Sequence, residues 1–150
     1  MNLKVSEIAE MCGGRLVGSG ENTVTSFYTD SRETTPGKMF VPIRGENTDA
    51  HRFIPQVFAS GAAATFSEEP LDAPAGDVVY VENTRAALQK VAERYRERFN
   101  IPVIGITGSV GKTTTKEMVA LAVSAGLKTM KTAGNANSQI GLPMTVLRIA

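Results

Sequence analysis

One cysteine in 150 residues, Cys12, excludes an internal disulfide framework and fits a reducing compartment. It falls on the apolar side of a short helical pattern, Val5, Ile8, Ala9 and Cys12, which makes it a core position rather than a nucleophile. No stretch approaches the ~18–20 continuous apolar residues of a membrane span. The N-terminus also lacks the apolar core of a secretion signal, so membrane insertion is not expected and a cytoplasmic location is. A formal net charge of only +1 gives no general pull toward nucleic acid or anionic membrane. Any anion site must therefore be local. Internal repeats and low-complexity stretches are missing too, and with 42% hydrophobic and 21% charged residues the composition is that of an ordinary globular protein.

What the chain does have is a local anion site. Thr107-Gly108-Ser109-Val110-Gly111-Lys112-Thr113-Thr114 combines a flexible turn, a fixed cation and a metal-binding hydroxyl. Ile101-Pro-Val-Ile-Gly-Ile-Thr107 before it reads as a short buried strand. Lys112 to Ala125 after it carries Met118, Leu121, Ala122 and Ala125 at helical spacing. The turn thus joins a strand to a helix N-terminus, where unpaired amides and the positive end of the helix dipole face a phosphate. Lys112 is placed to reach the β and γ phosphates of a nucleotide, and the Thr113 hydroxyl to contribute to a Mg2+ shell. The strict motif has a glycine five residues before Gly111, where this chain has Ile106; Gly105 and Gly108 bracket the turn instead. A glycine-rich turn carrying a surface lysine that binds nothing is the bland alternative.

The rest of the chain reads as α/β. Ser6 can cap a first helix ended by Gly13-Gly14, and short strands and turns fill Arg15 to Thr25. Lys38 to Ile43 is a strand whose Pro42 suggests a sheet edge. Gly45 to His51 is a polar loop, Arg52 to Ser60 a helix, and Ala62 to Phe66 and Val78 to Val81 are strands. From Thr84 to Phe99, Ala87, Leu88, Val91, Tyr95 and Phe99 repeat at three and four, an amphipathic helix with a solvated charged face. Lys128 to Thr132 reads as a further strand and Met144 to Ala150 as the start of a helix. The expected organisation is a small N-terminal α/β substrate-binding domain over 1–83, a connecting helix over 84–100, and over 101–150 the beginning of a parallel-sheet phosphate-loop domain. A fold of that second kind normally needs ~100–200 residues, so a piece of a longer protein is expected.

Four segments in order carry a family resemblance. Val103 to Met118 resembles the ATP-binding loop of the Mur ligases, the cytoplasmic amino-acid-adding enzymes of peptidoglycan synthesis. Thr29-Asp-Ser-Arg32 with Pro36-Gly37-Lys-Met-Phe40, and Gly45-Glu46 through Asp49 to His51, look like the uridine-nucleotide-binding N-terminal domain shared by two branches of that family. Gly134-Asn-Ala-Asn-Ser-Gln-Ile-Gly-Leu-Pro143 is similar to the longer central-domain loop of the branch that adds D-alanyl-D-alanine. Ala50 stands where the family commonly has glycine.

The resemblance implies an ATP-dependent ligase that phosphorylates the terminal carboxylate of UDP-N-acetylmuramoyl-tripeptide, the amine of D-alanyl-D-alanine then attacking the acyl phosphate. It implies ATP and Mg2+ as cofactors, Lys112 and Thr113 as catalytic residues with Thr113 on the metal, and residues 107–114 around the nucleotide. It also implies Ser31, Arg32, Gly45, His51, Asn135 and Asn137 around the substrate, and a monomer in the complete protein. The residues themselves leave alternatives open. Asp-Ser-Arg can be a capped turn with a surface ion pair, His51 a loop histidine bonded to backbone, and the Gly134-Asn135 pair a simple turn. Two other readings of the whole are the branch that adds the third amino acid and a non-catalytic sugar-nucleotide-binding module.

Overall fold

In a computed structural model the described residues are 1–46, 48–134, 136 and 138–150. The chain opens with β1 (Leu3–Lys4), α1 (Val5–Cys12), β2 (Arg15–Val17), β3 (Thr23–Val24) and β4 (Ser26–Tyr28). A 3-10 turn over Ser31–Glu33 leads to β5 (Lys38–Phe40), and a second over Ala50–Phe53 runs into α2 (Ile54–Ala59). Then follow β6 (Ala64–Ser67), β7 (Asp77–Tyr80), α3 (Thr84–Glu97), α4 (Lys112–Ser124) and α5 (Gly141–Val146).

Five strands form one sheet in the order β2-β7-β6-β5-β4, parallel from β4 to β7 with β2 antiparallel at one edge. β1 and β3 make a separate antiparallel pair. Strand alternation decides which side each residue serves. Phe27, Met39, Ala64, Phe66 and Val79 point to one face, where Val5 and Ile8 of α1 and Leu88, Val91 and Tyr95 of α3 cover them. Tyr28 and Phe40, one residue further along, point to the other face and meet Ile54 and Val57 of α2. Leu147, just past α5, joins the first cluster, and the Tyr95 hydroxyl donates to the Ile149 carbonyl at 2.7 Å. The strands are short, so each buried aromatic matters.

Several expectations need correction. α1 starts at Val5, not after a Ser6 cap. Its first amides are taken by the later loop between β2 and β3, Val5 N–H donating to Asn22 O and Ser6 N–H to Gly20 O, while Glu7 accepts from the Lys4 amide. The strand containing Met39 is internal, between β4 and β6, not at an edge. Pro42 lies beyond its end, where a missing N–H breaks no ladder and the proline carbonyl accepts from the Thr84 hydroxyl at 2.6 Å. Ile101 to Thr107 and Lys128 to Thr132 are not strands. Val103 is 67% exposed and Ile104 similarly so, because among the described residues no strand lies beside them to complete a ladder. α4 forms as the spacing predicts, yet it buries only Ala120 while Met118 and Leu121 face solvent.

Candidate functional site

Parallel strands present their carboxyl ends, and the loops leaving them, on one rim of the sheet, the place where open α/β sheets bind ligands. The loop after β4 is closed by Asp30, whose Oδ1 accepts from the Arg32 amide at 3.0 Å and from Arg32 Nε at 2.8 Å. Those side-chain bonds from Arg32, with its backbone N–H next, bring the Asp30 carboxyl down to about 2. The guanidinium stays almost wholly exposed, so its outer edge is open to an anion. Among the described residues the Ser31 hydroxyl has no protein partner, and the Ser31 carbonyl accepts from Thr34 Oγ1.

The loop after β5 is tied more tightly. Arg44 pairs with Asp49 at 2.7 Å, Glu69 at 2.6 Å and Glu68 at 3.5 Å. Gly45 donates to the Thr48 carbonyl in the tight turn between Arg44 and Asp49. His51 is 6% exposed, its Nδ1 at 2.5 Å from Asp49 Oδ1 and its Nε2 3.2 Å from the Glu68 amide. The amide can only donate, so Nε2 accepts and Nδ1 carries the proton. Both ring nitrogens are thus spent on protein, which places His51 as a loop-holding residue with no edge turned outward. The His51 backbone N–H, then its ring and Arg44, hold the Asp49 carboxyl far below the usual carboxylate range. Glu68 completes the knot: its Oε1 accepts from the Thr84 amide at 2.8 Å and hydroxyl at 3.1 Å, a carboxylate at the positive end of α3.

The phosphate loop lies apart from this rim in sequence and is built differently. Gly111 takes φ +78°, a left-handed conformation in which a side chain is strained, and caps α4 from the N-terminal side. Thr115 N–H donates to Gly111 O at 2.9 Å, while the amides of residues 108–114 find no protein acceptor among the described residues. Lys112 Nζ folds back onto the Gly108 carbonyl at 2.5 Å. Thr107, Ser109, Val110, Thr113 and Thr114 are exposed. Free amides at the start of a thirteen-residue helix, with an ammonium above them, fit a phosphate group. For a divalent cation the exposed Thr113 hydroxyl would be one oxygen, and among the described residues no group of carboxylates or imidazoles completes a shell.

Asn135 and Asn137 lie outside the described residues. Their flanks are described: Lys116 Nζ donates to the carbonyls of Thr132 and Gly134, both at 2.7 Å, and Arg85 and Gln89 of α3 reach Gln139. Sequence reasoning did not single out Arg44, Glu68, Thr84, Arg85 or Lys116. Lys116 had a signal, since it stands one helical turn after Lys112. Glu68 had none, because its partners lie sixteen or more residues away.

Known proteins agree with this architecture. The model of the Mur ligase family, catalytic domain, matches residues 23–104, and that of the Mur ligase middle domain matches residues 106–150. UDP-N-acetylmuramoyl-tripeptide--D-alanyl-D-alanine ligase of Escherichia coli is 39% identical over 149 residues, 99% of this chain and 32% of its own length. A crystal structure of MurF from Acinetobacter baumannii superposes on the whole chain with a TM-score of 0.94 at 33% identity, over 34% of its own length. MurF ligase from Thermotoga maritima, solved in complex with ADP, covers 81% of this chain and 28% of its own, with a TM-score of 0.74 at 34% identity. The chain therefore spans about a third of the length of the relatives it matches. With one family model over more than half of its residues and a second over most of the remainder, the chain belongs to the Mur ligase family.

Proposed function

We propose that the chain is the N-terminal part of an ATP-dependent ligase that joins D-alanyl-D-alanine to UDP-N-acetylmuramoyl-tripeptide in cytoplasmic peptidoglycan precursor synthesis, the complete protein being a monomer. The observation that carries the reading is the pairing, within one chain, of a rim of strand-end loops with a separate phosphate loop, matched end to end by a relative of that name. Residues 1–83 are the substrate domain, 84–100 the connecting helix, and 101–150 the start of the ATP-binding domain.

A carboxylate is a poor acyl donor until an oxygen becomes a leaving group, and ATP supplies the phosphoryl group that makes it one. Two anions must then be brought together, so the protein's task is charge neutralisation and placement. The amides of residues 108–114 would take the phosphate oxygens, and Lys112 would leave the Gly108 carbonyl for the β and γ phosphates. Thr113 would give its hydroxyl to Mg2+, the remaining positions falling to phosphate oxygens and water. At the rim, the free Ser31 hydroxyl and the outer edge of Arg32 would meet the uridine diphosphate, with Gly45 allowing close approach and His51 keeping the loop in shape. Asn135 and Asn137 would orient the substrate near the phosphate loop.

Calorimetric titration of the chain with UDP-muramoyl-tripeptide, UDP-muramoyl-dipeptide and Mg-ATP tests this, alongside a Ser31→Ala, Arg32→Ala double variant. Tripeptide binding by the native chain, lost in the variant while ATP binding is unchanged, is expected, and no amide formation by these 150 residues alone. Absence of any uridine-sugar binding, with ATP still bound, would overturn the assignment and point to a different phosphate-loop enzyme.

A further inference from the structure

Lys116 is buried for a lysine: its side chain is 15% exposed. Its ammonium donates to the carbonyls of Thr132 and Gly134 at 2.7 Å each and pairs with Glu117 Oε1 3.3 Å away. Main-chain carbonyls are an uneconomical target for a surface lysine, which loses side-chain entropy on being held. The position gives the contact meaning. Lys116 follows Lys112 by one turn, so both lie on the same face of α4, one at the phosphate loop and one at the segment opening at Thr132. The far end of that segment is held from a different helix. Arg85 Nη1 donates to Gln139 Oε1 at 3.3 Å and Gln89 Nε2 to the Gln139 carbonyl at 3.1 Å. Arg85 directly follows Thr84, whose amide and hydroxyl are bound by Glu68 of the Arg44–Asp49–His51 knot. Four residues, 135–138, separate the two anchors in sequence.

We infer that Lys116 and Arg85 are positioning residues that hold the two described ends of the 132–139 segment, Lys116 gripping Thr132 and Gly134 from the phosphate-loop helix and Arg85 gripping Gln139 from α3, setting the alignment of the two substrates rather than the affinity for either. This rests on the ligase reading above. Neither side chain is assigned a contact with substrate; each acts through the segment it holds. Misplacement of a loop beside a reacting centre slows the reaction more than it weakens binding.

The test uses the complete ligase that carries this chain, comparing Lys116→Met, Lys116→Arg and Arg85→Ala with the parent. Lys116→Met keeps the apolar stem and removes the donors. It is expected to lower kcat roughly 10- to 100-fold while KM for the sugar nucleotide and for ATP shifts less than about threefold. Lys116→Arg, which can still donate to two carbonyls, is expected to recover part of the loss, and Arg85→Ala to show the same kcat pattern more weakly. Hydrogen exchange of the amides of residues 132–141, read without substrates, is expected to quicken in Lys116→Met, with that of β4 to β7 unchanged. An unchanged kcat, a loss confined to KM, or exchange that quickens throughout the sheet would overturn the clamp and leave the ligase reading standing. A parent enzyme that forms no amide would overturn both.

Discussion

Residues 1–99 and residues 101–134 obey the same local rules and reach opposite outcomes. In the first region each strand finds neighbours: β4, β5, β6 and β7 pair in parallel, and helices cover both faces. In the second, Ile101 to Thr107 has a strand-like apolar run and Lys112 to Ala125 a helical pattern. Only the helix forms, and Leu121 on it remains 75% exposed. The contrast follows from where hydrogen bonds are made. A helix closes its ladder within itself, whereas a parallel strand exists only beside another strand. Among the described residues no sheet lies against α4, so its apolar stripe has nothing to bury against, and most helical stability in proteins comes from such burial.

The largest expected effect separates the two regions by stability. Phe66→Ala removes a fully buried ring stacked on Phe27 and is expected to cost about 3–5 kcal/mol, whereas Leu121→Ala should stay within about 0.5 kcal/mol. Urea unfolding followed by far-ultraviolet circular dichroism measures both, and equal losses would mean that the second region is packed after all. Glycines sharpen the same point. Gly18 sits at φ +124°, and a β-carbon there would fall 2.2 Å from Asp77 Oδ1 and 2.9 Å from the Asp77 α-carbon. Asp77 is itself buried, accepting from the Ser19 amide and Asn22. Gly18→Ala is therefore expected to lose about 1–3 kcal/mol. Gly126→Ala, with open space around it, should be neutral or stabilising by up to about 1 kcal/mol, as thermal melting would read.

A smaller difference is expected from hydroxyls. Thr84→Val strands the Pro42 carbonyl and one Glu68 contact and should cost about 1–2 kcal/mol. Thr129→Val loses only an exposed bond to the Leu127 carbonyl and should be near silent. The smallest is a pH effect. Asp49 and Asp30 have folded pKa values below their unfolded ones, so their stabilisation is present above about pH 4, the unfolded aspartate range, and fades as pH falls toward the folded values. Asp49→Asn should flatten the acid limb of the stability profile between about pH 4 and 2. An unaltered limb would show that the His51–Arg44 knot is not formed in solution.

How much was legible beforehand differs by residue. The helices at Thr84 and Lys112 announce themselves by spacing, and Asn83 caps the first with a 2.8 Å bond to the Ala86 amide. The phosphate loop is contiguous, so its glycines, lysine and threonine could be read as a unit. His51 could be noticed but not interpreted. Whether its ring faces a ligand or the Glu68 amide depends on the residue just past β6, seventeen positions away. Pro42 suggested an edge because a proline in a ladder is costly, but it falls past the last ladder bond of β5. Arg44 and Glu68 carry no local pattern at all.

The sequence by itself determined the α/β class, the contiguous glycine, lysine and threonine turn that opens a helix, and the order of the segments that tie the chain to its family. These depend on periodicity and on contiguous chemistry, which a linear string preserves. Only the tertiary structure decided which strands are interior, that His51 is spent on the fold, and that Lys116 and Arg85 grip the two ends of one segment. Those outcomes come from hydrogen bonds and burial between residues far apart in the chain, and no spacing rule encodes which partner a distant donor will find.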